Sequence, residues 1–227
     1  MNRGGLTGPD QRARMSALHE ALAGRVERAL QAGDRPVSIA GDCCASIGMT
    51  AGMQRAGIDP LLIWFDAHGD FNTRETTPSG FVGGMPLAML VGRGEQAMPQ
   101  AVGLSPLSEE RIILTDARDL DPGEADALRG SRVTHLPKVT YLLDFPVPEG
   151  PILVHFDTDV LEPVHAPAMS YPAPGGASLE QLTKTFRHLA GTGKVSGASL
   201  SSWNPKLAGS ARSARVCMQL LQTLLGE

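Results

Sequence analysis

The sequence predicts an α/β fold with three layers, in which helices cover both faces of a mainly parallel central sheet. Short apolar runs recur along the chain, polar loops follow them, and helical patterns stand between them. Strands that are apolar on both faces are typical of parallel sheets buried between helices. A chain of 227 residues can bury one sizeable core, so we expect a single domain over residues 1–227.

The first predicted elements are a helix, a strand and a second helix. Apolar residues recur at helical spacing over residues 15–32, and Gly33 follows where a helix C-cap is expected. Residues 37–40 form a short apolar run that stops at a Gly-Asp pair. Residues 47–56 again have the pattern of a helix. This alternation predicts that the strand is buried and ends in a loop.

The later predicted strands end in acidic loops. Apolar runs cover residues 61–65, 111–114 and 152–156, and each breaks into an aspartate-containing segment. In open parallel sheets, ligands bind beyond the carboxyl ends of the strands. Residues 163–176 are rich in Pro and Gly, which predicts a long loop that shapes a pocket mouth. We therefore expect the chemistry where the acidic loops converge.

The composition excludes several classes of function. The net charge is −4, the pI is about 5.9, and no run of Lys or Arg offers a track for a nucleic-acid backbone. The three cysteines, Cys43, Cys44 and Cys217, do not resemble a disulfide framework and fit a reducing compartment. Residues 1–10 lack the apolar core of a signal peptide, and no apolar stretch reaches the roughly 20 residues of a membrane span. We predict a cytoplasmic protein with a small-molecule substrate.

The first acidic cluster is Asp66-Ala67-His68-Gly69-Asp70. Its three polar side chains lie two residues apart, so extended backbone would point them at a common spot. Two carboxylates and an imidazole that converge can bind a divalent metal ion. Alone, the motif could also be a polar turn after a strand.

The second cluster, His155-Phe156-Asp157-Thr158-Asp159, repeats this spacing after another apolar run. Gathering the carboxylates of both clusters without a cation would cause strong like-charge repulsion, and burying them unpaired would cost more still. Together the clusters predict a metal centre.

These motifs, taken in order, resemble the ureohydrolase family, which includes arginase, agmatinase and formimidoylglutamase. The stretches that carry the resemblance are residues 40–43 (AGDC), 66–70 (DAHGD), 118–124 (RDLDPGE), 157–159 (DTD), 162–163 (EP) and 203–205 (WNP). The match covers nearly the whole chain after about residue 36. The resemblance implies a three-layer α/β/α fold and two divalent metal ions, expected to be Mn²⁺, whose bridging hydroxide attacks the guanidinium carbon and releases urea.

The resemblance also implies which residues hold the metal ions. The implied ligands are Cys43, Asp66, His68, Asp70, Asp157 and Asp159. Asp66 and Asp157 would bridge the ions, Asp70 and Cys43 would complete one of them, and the other two ligands would complete the second. Asp70 would in addition orient the hydroxide, which gives it a catalytic role.

Two residues near the implied centre depart from the family pattern. Cys43 stands where the family has a metal-binding His, and His155 stands where a Ser is usual. A thiolate is a softer ligand, so Zn²⁺ or Fe²⁺ becomes possible beside Mn²⁺. Cys43 could instead be a buried structural thiol. His155 could be a ligand, a catalytic base behind the metal, or a hydrogen-bonded structural residue.

The substrate positions are partly retained. Asn72 and Ser79 match residues that recognise an amino acid's α-carboxylate, while Asp121 and Glu124 match residues around its α-amino group. Ser202 replaces the Glu that holds the guanidinium in arginases. Asp121 and Glu124 could alternatively cap a helix that starts after Pro122.

The proton-shuttling His of arginases is also replaced, here by Gly83. A glycine cannot move a proton, and a lost carboxylate weakens cation binding. The retained substrate positions predict an amino-acid-like compound, and a hydroxyguanidino group, being less basic, needs less counter-charge.

The sequence therefore predicts a metal-dependent hydrolase of a linear carbon–nitrogen bond in a guanidino, hydroxyguanidino or amidino compound. One alternative is a deacetylase-like amidohydrolase, although the paired histidines of that class are not found. The other is a non-catalytic, metal-stabilised protein that binds a ligand or a partner chain. The family's first strand has no counterpart here, so a bare sheet edge favours a homo-oligomer.

Overall fold

The computed structural model describes the backbone of residues 9–227 and the side chains from residue 12 onward. A six-stranded sheet lies at its centre, and every pair of neighbouring strands is parallel. The strands are β1 (Val37–Ile39), β2 (Leu61–Asp66), β3 (Ile112–Asp116), β4 (Thr134–Leu136), β5 (Ile152–Asp157) and β6 (Val195–Ser201). Their order across the sheet is β1-β6-β5-β2-β3-β4, which places the two metal-motif strands, β5 and β2, side by side.

Helices cover the sheet on both sides, as the sequence predicts. They are α1 (Pro9–Gln31), α2 (Ala45–Arg55), α3 (Pro86–Leu90), α4 (Ala97–Ala101), α5 (Pro122–Arg129), α6 (Leu179–Gly191) and α7 (Ser210–Leu225). Successive side chains of β2 point to opposite faces: Leu62 and Trp64 join the core under α1 and α2, while Ile63 and Phe65 join the core under α6 and α7. The predicted three-layer α/β/α fold is confirmed.

The predicted elements match the structure with shifted ends. The helix expected over residues 15–32 begins already at Pro9, a residue whose fixed φ suits the first helical turn. The strand expected over 111–114 runs from Ile112 to Asp116, since a short 3-10 turn at Glu109–Arg111 precedes it. Strand β6 is not among the predicted apolar runs because serines alternate with its apolar residues.

Two further features bear on the site. Residues 163–176 form the predicted loop, in which Met169 makes an isolated antiparallel bridge to Trp203, just after the end of β6. Strand β1 lies at an edge of the sheet, with Val37 and Ile39 exposed. Within residues 9–227, no helix has the length and apolar character needed to cross a bilayer.

Candidate metal centre

The carboxyl ends of β2 and β5 bring the two acidic motifs together. Asp66 is the last residue of β2 and Asp157 is the last of the neighbouring β5. A 3-10 turn at Thr158–Val160 follows, and the Asp159 Oδ1 accepts a hydrogen bond from the backbone N–H of Ala67 at 3.1 Å. The loops thus hold each other beyond the sheet.

The route to this convergence differs from the predicted extended backbone. Both strands end at their first aspartate, and the chain turns immediately afterwards. Asp70 lies in the left-handed region with φ of 49°, a conformation that Asp tolerates better than most residues. The acidic residues come together because the turn after β2 faces the turn after β5. The predicted alternation along an extended strand holds only for His155 and Asp157.

Two groups of potential metal ligands share one carboxylate. We call Cys43, Asp66, His155 and Asp157 the inner group; all four are buried, and their ligand atoms lie within 4.8 Å of one another. We call Asp66, His68 and Asp159 the outer group, which meets the same distance limit. His68 is the most accessible member, with 30% of its side chain exposed. Asp66 belongs to both groups, as a bridging ligand would.

Cys43 packs directly against the carboxylates of the inner group. Its Sγ donates to the Asp157 Oδ2 at 2.9 Å and lies 3.8 Å from the Asp66 Oδ2. The Ser201 hydroxyl is 3.2 Å from the same sulfur and donates to Asp157 at 2.8 Å. Burial, followed by the charge of Asp157, raises the pKa of the Cys43 thiol well above its ordinary value.

His155 is fixed from two sides. Its ring stacks on Trp64 with centroids 3.7 Å apart, and its Nδ1 lies 2.7 Å from the Ser199 hydroxyl. Its Nε2 lies 3.3 Å from the Ser201 hydroxyl. Trp64 also donates from Nε1 to the Asp66 Oδ2 at 3.1 Å. Burial lowers the pKa of His155 to about 3, so the ring is neutral at pH 7.

His68 supplies positive charge to the outer group. Its Nδ1 lies 3.2 Å from the Asp159 Oδ2 and 3.4 Å from the Asp66 Oδ1. Burial lowers the pKa of His68, but its hydrogen bonds to Asp159 and Asp66 outweigh burial and raise the pKa to about 12. An imidazole in this position must give up its proton to bind a metal ion.

The buried aspartates of the two groups, together with Asp70, have too little positive charge around them. Burial and the charge of Asp159 raise the pKa of Asp157 to about 7, and burial and the charge of Asp66 raise the pKa of Asp159 to about 6. Burial also raises the pKa of Asp66 and, with the charges of Asp66 and Asp157, that of Asp70. Among the residues that the structure describes, the buried Asp70 Oδ2 finds no hydrogen-bond partner. Divalent cations would supply the missing charge and a partner for this oxygen, so these residues fit a metal centre.

The predicted substrate residues around the amino group lie beside the start of α5. The Asn72 amide donates to the Asp121 Oδ2 at 2.9 Å. The buried Glu124 accepts from the backbone N–H groups of Phe71 at 2.8 Å and Asp121 at 3.3 Å. These bonds support the helix-capping alternative for Glu124 and tie the acidic loop to α5. Substrate contact by Asn72, Asp121 and Glu124 stays a prediction.

The other two predicted substrate residues, Ser79 and Ser202, lie in different surroundings. Ser79 is exposed, and its hydroxyl accepts from the Phe81 N–H at 3.2 Å within its own loop. Ser202 has a left-handed backbone with φ of 65°, and its hydroxyl donates to the Asp157 Oδ2. Ser202 therefore acts on a predicted metal ligand from the position where the family has its guanidinium anchor.

Phe81 fills the space beside Gly83. A Cβ added to Gly83 would lie 2.4 Å from the Cε1 of the Phe81 ring, which in turn packs on Tyr171 with centroids 5.3 Å apart. The aromatic ring thus occupies the room that a side chain at position 83 would need. Glycine at position 83, where arginases have the shuttling His, and the Phe81 ring beside it are therefore structurally linked.

Arg118 connects the centre to the pocket-mouth loop. Its guanidinium pairs with Asp116 at 2.5 Å and donates to the Asp159 carbonyl oxygen at 2.8 Å. It also donates to the carbonyl oxygens of Ala173 at 2.6 Å and Pro174 at 3.1 Å. The end of the loop is therefore bound to the backbone of a predicted metal ligand.

Several residues near the centre were not predicted from the sequence. They are Trp64, Phe81, Arg118, Ser199 and Ser201. For the two serines a signal exists, because they alternate on one face of an otherwise apolar strand that pairs with β5. Trp64 and Phe81 read as ordinary core residues in a single sequence.

Comparisons with known proteins identify the family and the fold of this chain. The family model described as "Arginase family" matches residues 6–226. The arginase of Bacillus caldovelox is 34% identical over 226 residues, which cover 94% of this chain and 76% of that protein. The crystal structure of arginase from Bacillus cereus superimposes with a TM-score of 0.88 at 28% identity, covering 95% of this chain and 78% of that one. Formimidoylglutamase from Bacillus subtilis subsp. subtilis str. 168 has the same fold, with a TM-score of 0.74 at 19% identity over 92% of this chain and 66% of that one.

Proposed function

The chain belongs to the arginase family, and on that premise we propose that it hydrolyses a linear carbon–nitrogen bond in a guanidino, hydroxyguanidino or amidino compound with two divalent metal ions. Membership confirms the predicted ureohydrolase resemblance and the predicted enzyme class, a hydrolase of carbon–nitrogen bonds other than peptide bonds. The substrate, the metal ions and the residue roles below are our proposals.

The observation that carries the proposal is the shared carboxylate. Asp66 belongs to both ligand groups, so one residue can join two ions. Asp157 is the second proposed bridge, with Asp70 and Cys43 on the inner ion. The proposed ligands of the outer ion are His68 and Asp159. Two ions held in this way would lower the pKa of a water molecule and supply a nucleophile near neutral pH.

The chain's own groups would orient the reactants. The Asp70 Oδ2, which has no hydrogen-bond partner in residues 12–227, is available to accept a proton from the nucleophile or to hold it in line. The neutral ring of His155 belongs to the inner group, and a catalytic role for it is part of our proposal. Asn72, Ser79, Asp121 and Glu124 are the proposed contacts of an amino-acid-like end of the substrate.

The reacting end of the substrate should be less basic than arginine's guanidinium. Ser202 offers a hydroxyl in place of a carboxylate, and that hydroxyl is engaged with Asp157. Without the carboxylate, a full cation would lose its charge-assisted contact. A hydroxyguanidino group, which is less basic because of its oxygen substituent, therefore fits this wall better.

The test is elemental analysis of the purified protein followed by a product screen. The protein is loaded with Mn²⁺, Zn²⁺ or Fe²⁺, and release of urea and ammonia is measured on guanidino, hydroxyguanidino and amidino compounds. We expect about two ions per chain and turnover that chelation abolishes. The matched control is the Asp157→Asn variant, which should lack turnover under the same loading.

The absent shuttle favours a second candidate, a metal-stabilised protein that binds a ligand without turnover. Phe81 fills the space beside Gly83, so this wall lacks a proton-transfer group there. This candidate predicts full metal occupancy and no product from any compound in the screen. Product release by the loaded protein would exclude it, and absence of bound metal would overturn both candidates.

A further inference from the structure

The inner and outer ligand groups differ in their donor atoms. The inner group has a sulfur, an imidazole and two carboxylates, whereas the outer group has an imidazole and two carboxylates. Relative to the family pattern, the inner group exchanges a His for a Cys at position 43 and gains a His at position 155. The inner group thus takes its imidazole from strand β5, and the position before α2 supplies a thiol instead.

We propose that the two metal sites are chemically different: the inner group binds Zn²⁺ through Cys43, His155, Asp157 and the shared Asp66, and the outer group binds Mn²⁺. The inference rests on the proposed metal centre and decides between the alternatives for His155: it is a direct ligand of the inner ion in place of Asp70, which is left to orient the nucleophile. It makes the protein a mixed-metal member of its family.

The inner distances suit one small ion. Ligand atoms around tetrahedral zinc lie roughly 3.3–3.8 Å apart, given zinc–sulfur and zinc–nitrogen bonds of about 2.3 and 2.0 Å. Cys43 Sγ lies 3.8 Å from one Asp66 oxygen and 2.9 Å from one Asp157 oxygen. His155 completes the group within 4.8 Å. Side-chain adjustments of about 1 Å would bring these atoms to zinc-binding distances.

His155 is oriented as a ligand and not merely as core filling. In the tautomer whose Nδ1 donates to the Ser199 hydroxyl, the lone pair of Nε2 faces Ser201, which contacts both Cys43 and Asp157. Metal-binding histidines characteristically donate their second ring nitrogen to a supporting acceptor in this way. Trp64 fixes the plane of the ring by stacking.

Ligand chemistry then assigns the ions. A thiolate and an imidazole together prefer zinc over manganese, since manganese stands at the weak end of the divalent series and favours oxygen ligands. On binding, the Cys43 thiol would release its proton to solvent as the zinc–sulfur bond forms. The outer group holds no sulfur, and its exposed His68 edge leaves room for the water ligands that manganese retains.

X-ray absorption at the zinc edge tests the assignment directly. The full-length protein is loaded with equimolar Zn²⁺ and Mn²⁺, and the zinc neighbours are read from the spectrum. We expect one sulfur at about 2.3 Å and one imidazole nitrogen at about 2.0 Å. The Cys43→Ser variant should lose the sulfur signal, and His155→Ser should lose the imidazole signal. Cys44→Ser and His188→Ser are matched controls that should keep the wild-type spectrum.

Affinity gives an independent readout. Loss of a direct ligand should weaken zinc binding by more than the roughly 10–100-fold that follows loss of a supporting partner. Cys43→His should shift the preference of the inner site toward manganese. A zinc ion with an imidazole but no sulfur neighbour in the wild-type protein would place zinc in the outer group and overturn the proposal.

The outcome is separable from that of the proposed function. Zinc–sulfur coordination without product release would sustain the mixed-metal inference while the hydrolase proposal fails. Product release with oxygen-only zinc neighbours would do the reverse.

Discussion

The metal-holding groups and the substrate-facing positions have diverged to different degrees. The acidic residues at 66, 70, 157 and 159 are retained and buried, whereas positions 83 and 202 carry residues of different chemistry from the family pattern. Buried carboxylates depend on each other's charge and on a cation, so a single loss unbalances the rest. Substrate positions act more independently. The comparison indicates that the buried acidic ligand positions resist exchange because they would share the charge of the same ions, whereas the exchanges fall on the neutral ligand position 43 and on positions 83 and 202.

Removing the shared carboxylate should break the metal-holding side most severely. Asp66→Ala deletes a ligand of both groups, so we expect bound metal to fall from about two ions to less than one per chain. The stabilisation by metal, about 2.7 kcal/mol per site at 100 times the dissociation constant, should disappear as well.

Metal content and thermal unfolding with and without metal measure this prediction. Asp126→Ala, at an exposed carboxylate far from the centre in sequence, is the control and should behave as wild type. An unchanged metal content in Asp66→Ala would contradict the bridging assignment.

The pH dependence of stability should separate the metal-free from the metal-loaded protein. The pKa of Asp157 rises to about 7 in the folded state, so the folded protein binds more protons than the unfolded chain between about pH 4 and pH 7. The free energy of unfolding therefore falls as pH rises through that window. His68, with its pKa raised to about 12, adds stability below about pH 6.5 that is lost as pH rises toward 12.

Metal binding reverses this slope, because ligands must be deprotonated and rising pH frees them. Thermal melts from about pH 6.5 to about pH 8, above the range in which the lowered pKa of His155 acts in the opposite direction, should show the metal-free protein losing stability while the gap to the loaded form widens. Asp157→Asn, which cannot ionise, should flatten the metal-free slope. A metal-free protein that gains stability over this range would refute the prediction.

A histidine introduced at position 83 should destabilise the protein as it stands, and it should be tolerated once the Phe81 ring is removed. Gly83→His alone would clash with the Phe81 ring, and overpacking of this kind costs about 1–3 kcal/mol. The Phe81→Ala exchange removes the ring, so the double variant should recover most of that stability. Denaturant unfolding of both singles and the double gives the coupling energy.

The same variants test whether a proton-transfer group at position 83 affects turnover. If a missing proton-transfer group limits turnover, the double variant should release product faster than wild type. Additive destabilisation, without coupling between the two positions, would show that Phe81 does not occupy the space of a side chain at 83.

A smaller effect should follow loss of one support of the inner group. Trp64→Phe keeps an aromatic ring against His155 but removes the Nε1–H donor to Asp66. We expect metal affinity to fall about tenfold, the lower end for a supporting partner. Chelator competition measures it. Trp203→Phe, whose indole donates to the Ser210 carbonyl oxygen, is the control and should retain wild-type affinity.

The fold and the charged part of the site are predictable from sequence for a physical reason. Apolar strands that end in aspartates predict both the buried sheet and the edge at which the acidic residues gather. Asp66 and Asp157 indeed terminate neighbouring strands. Contacts that depend on tertiary packing leave no such mark. Phe81 beside Gly83 and the stacking of Trp64 on His155 become visible only when strand register and loop position are known.

The bonds of Arg118 divide the pocket-mouth loop into a part that can be exchanged and a part that cannot. Ala173 and Pro174 accept from the guanidinium, and Glu162 accepts from the N–H groups of Gly175 and Gly176 at 2.6 and 2.9 Å. Residues 163–172 precede this anchor. Grafting foreign sequences there would change the loop while the anchor stays intact, whereas a graft that runs through residue 176 would disturb the Arg118 bonds that reach the backbone of the proposed metal ligand Asp159.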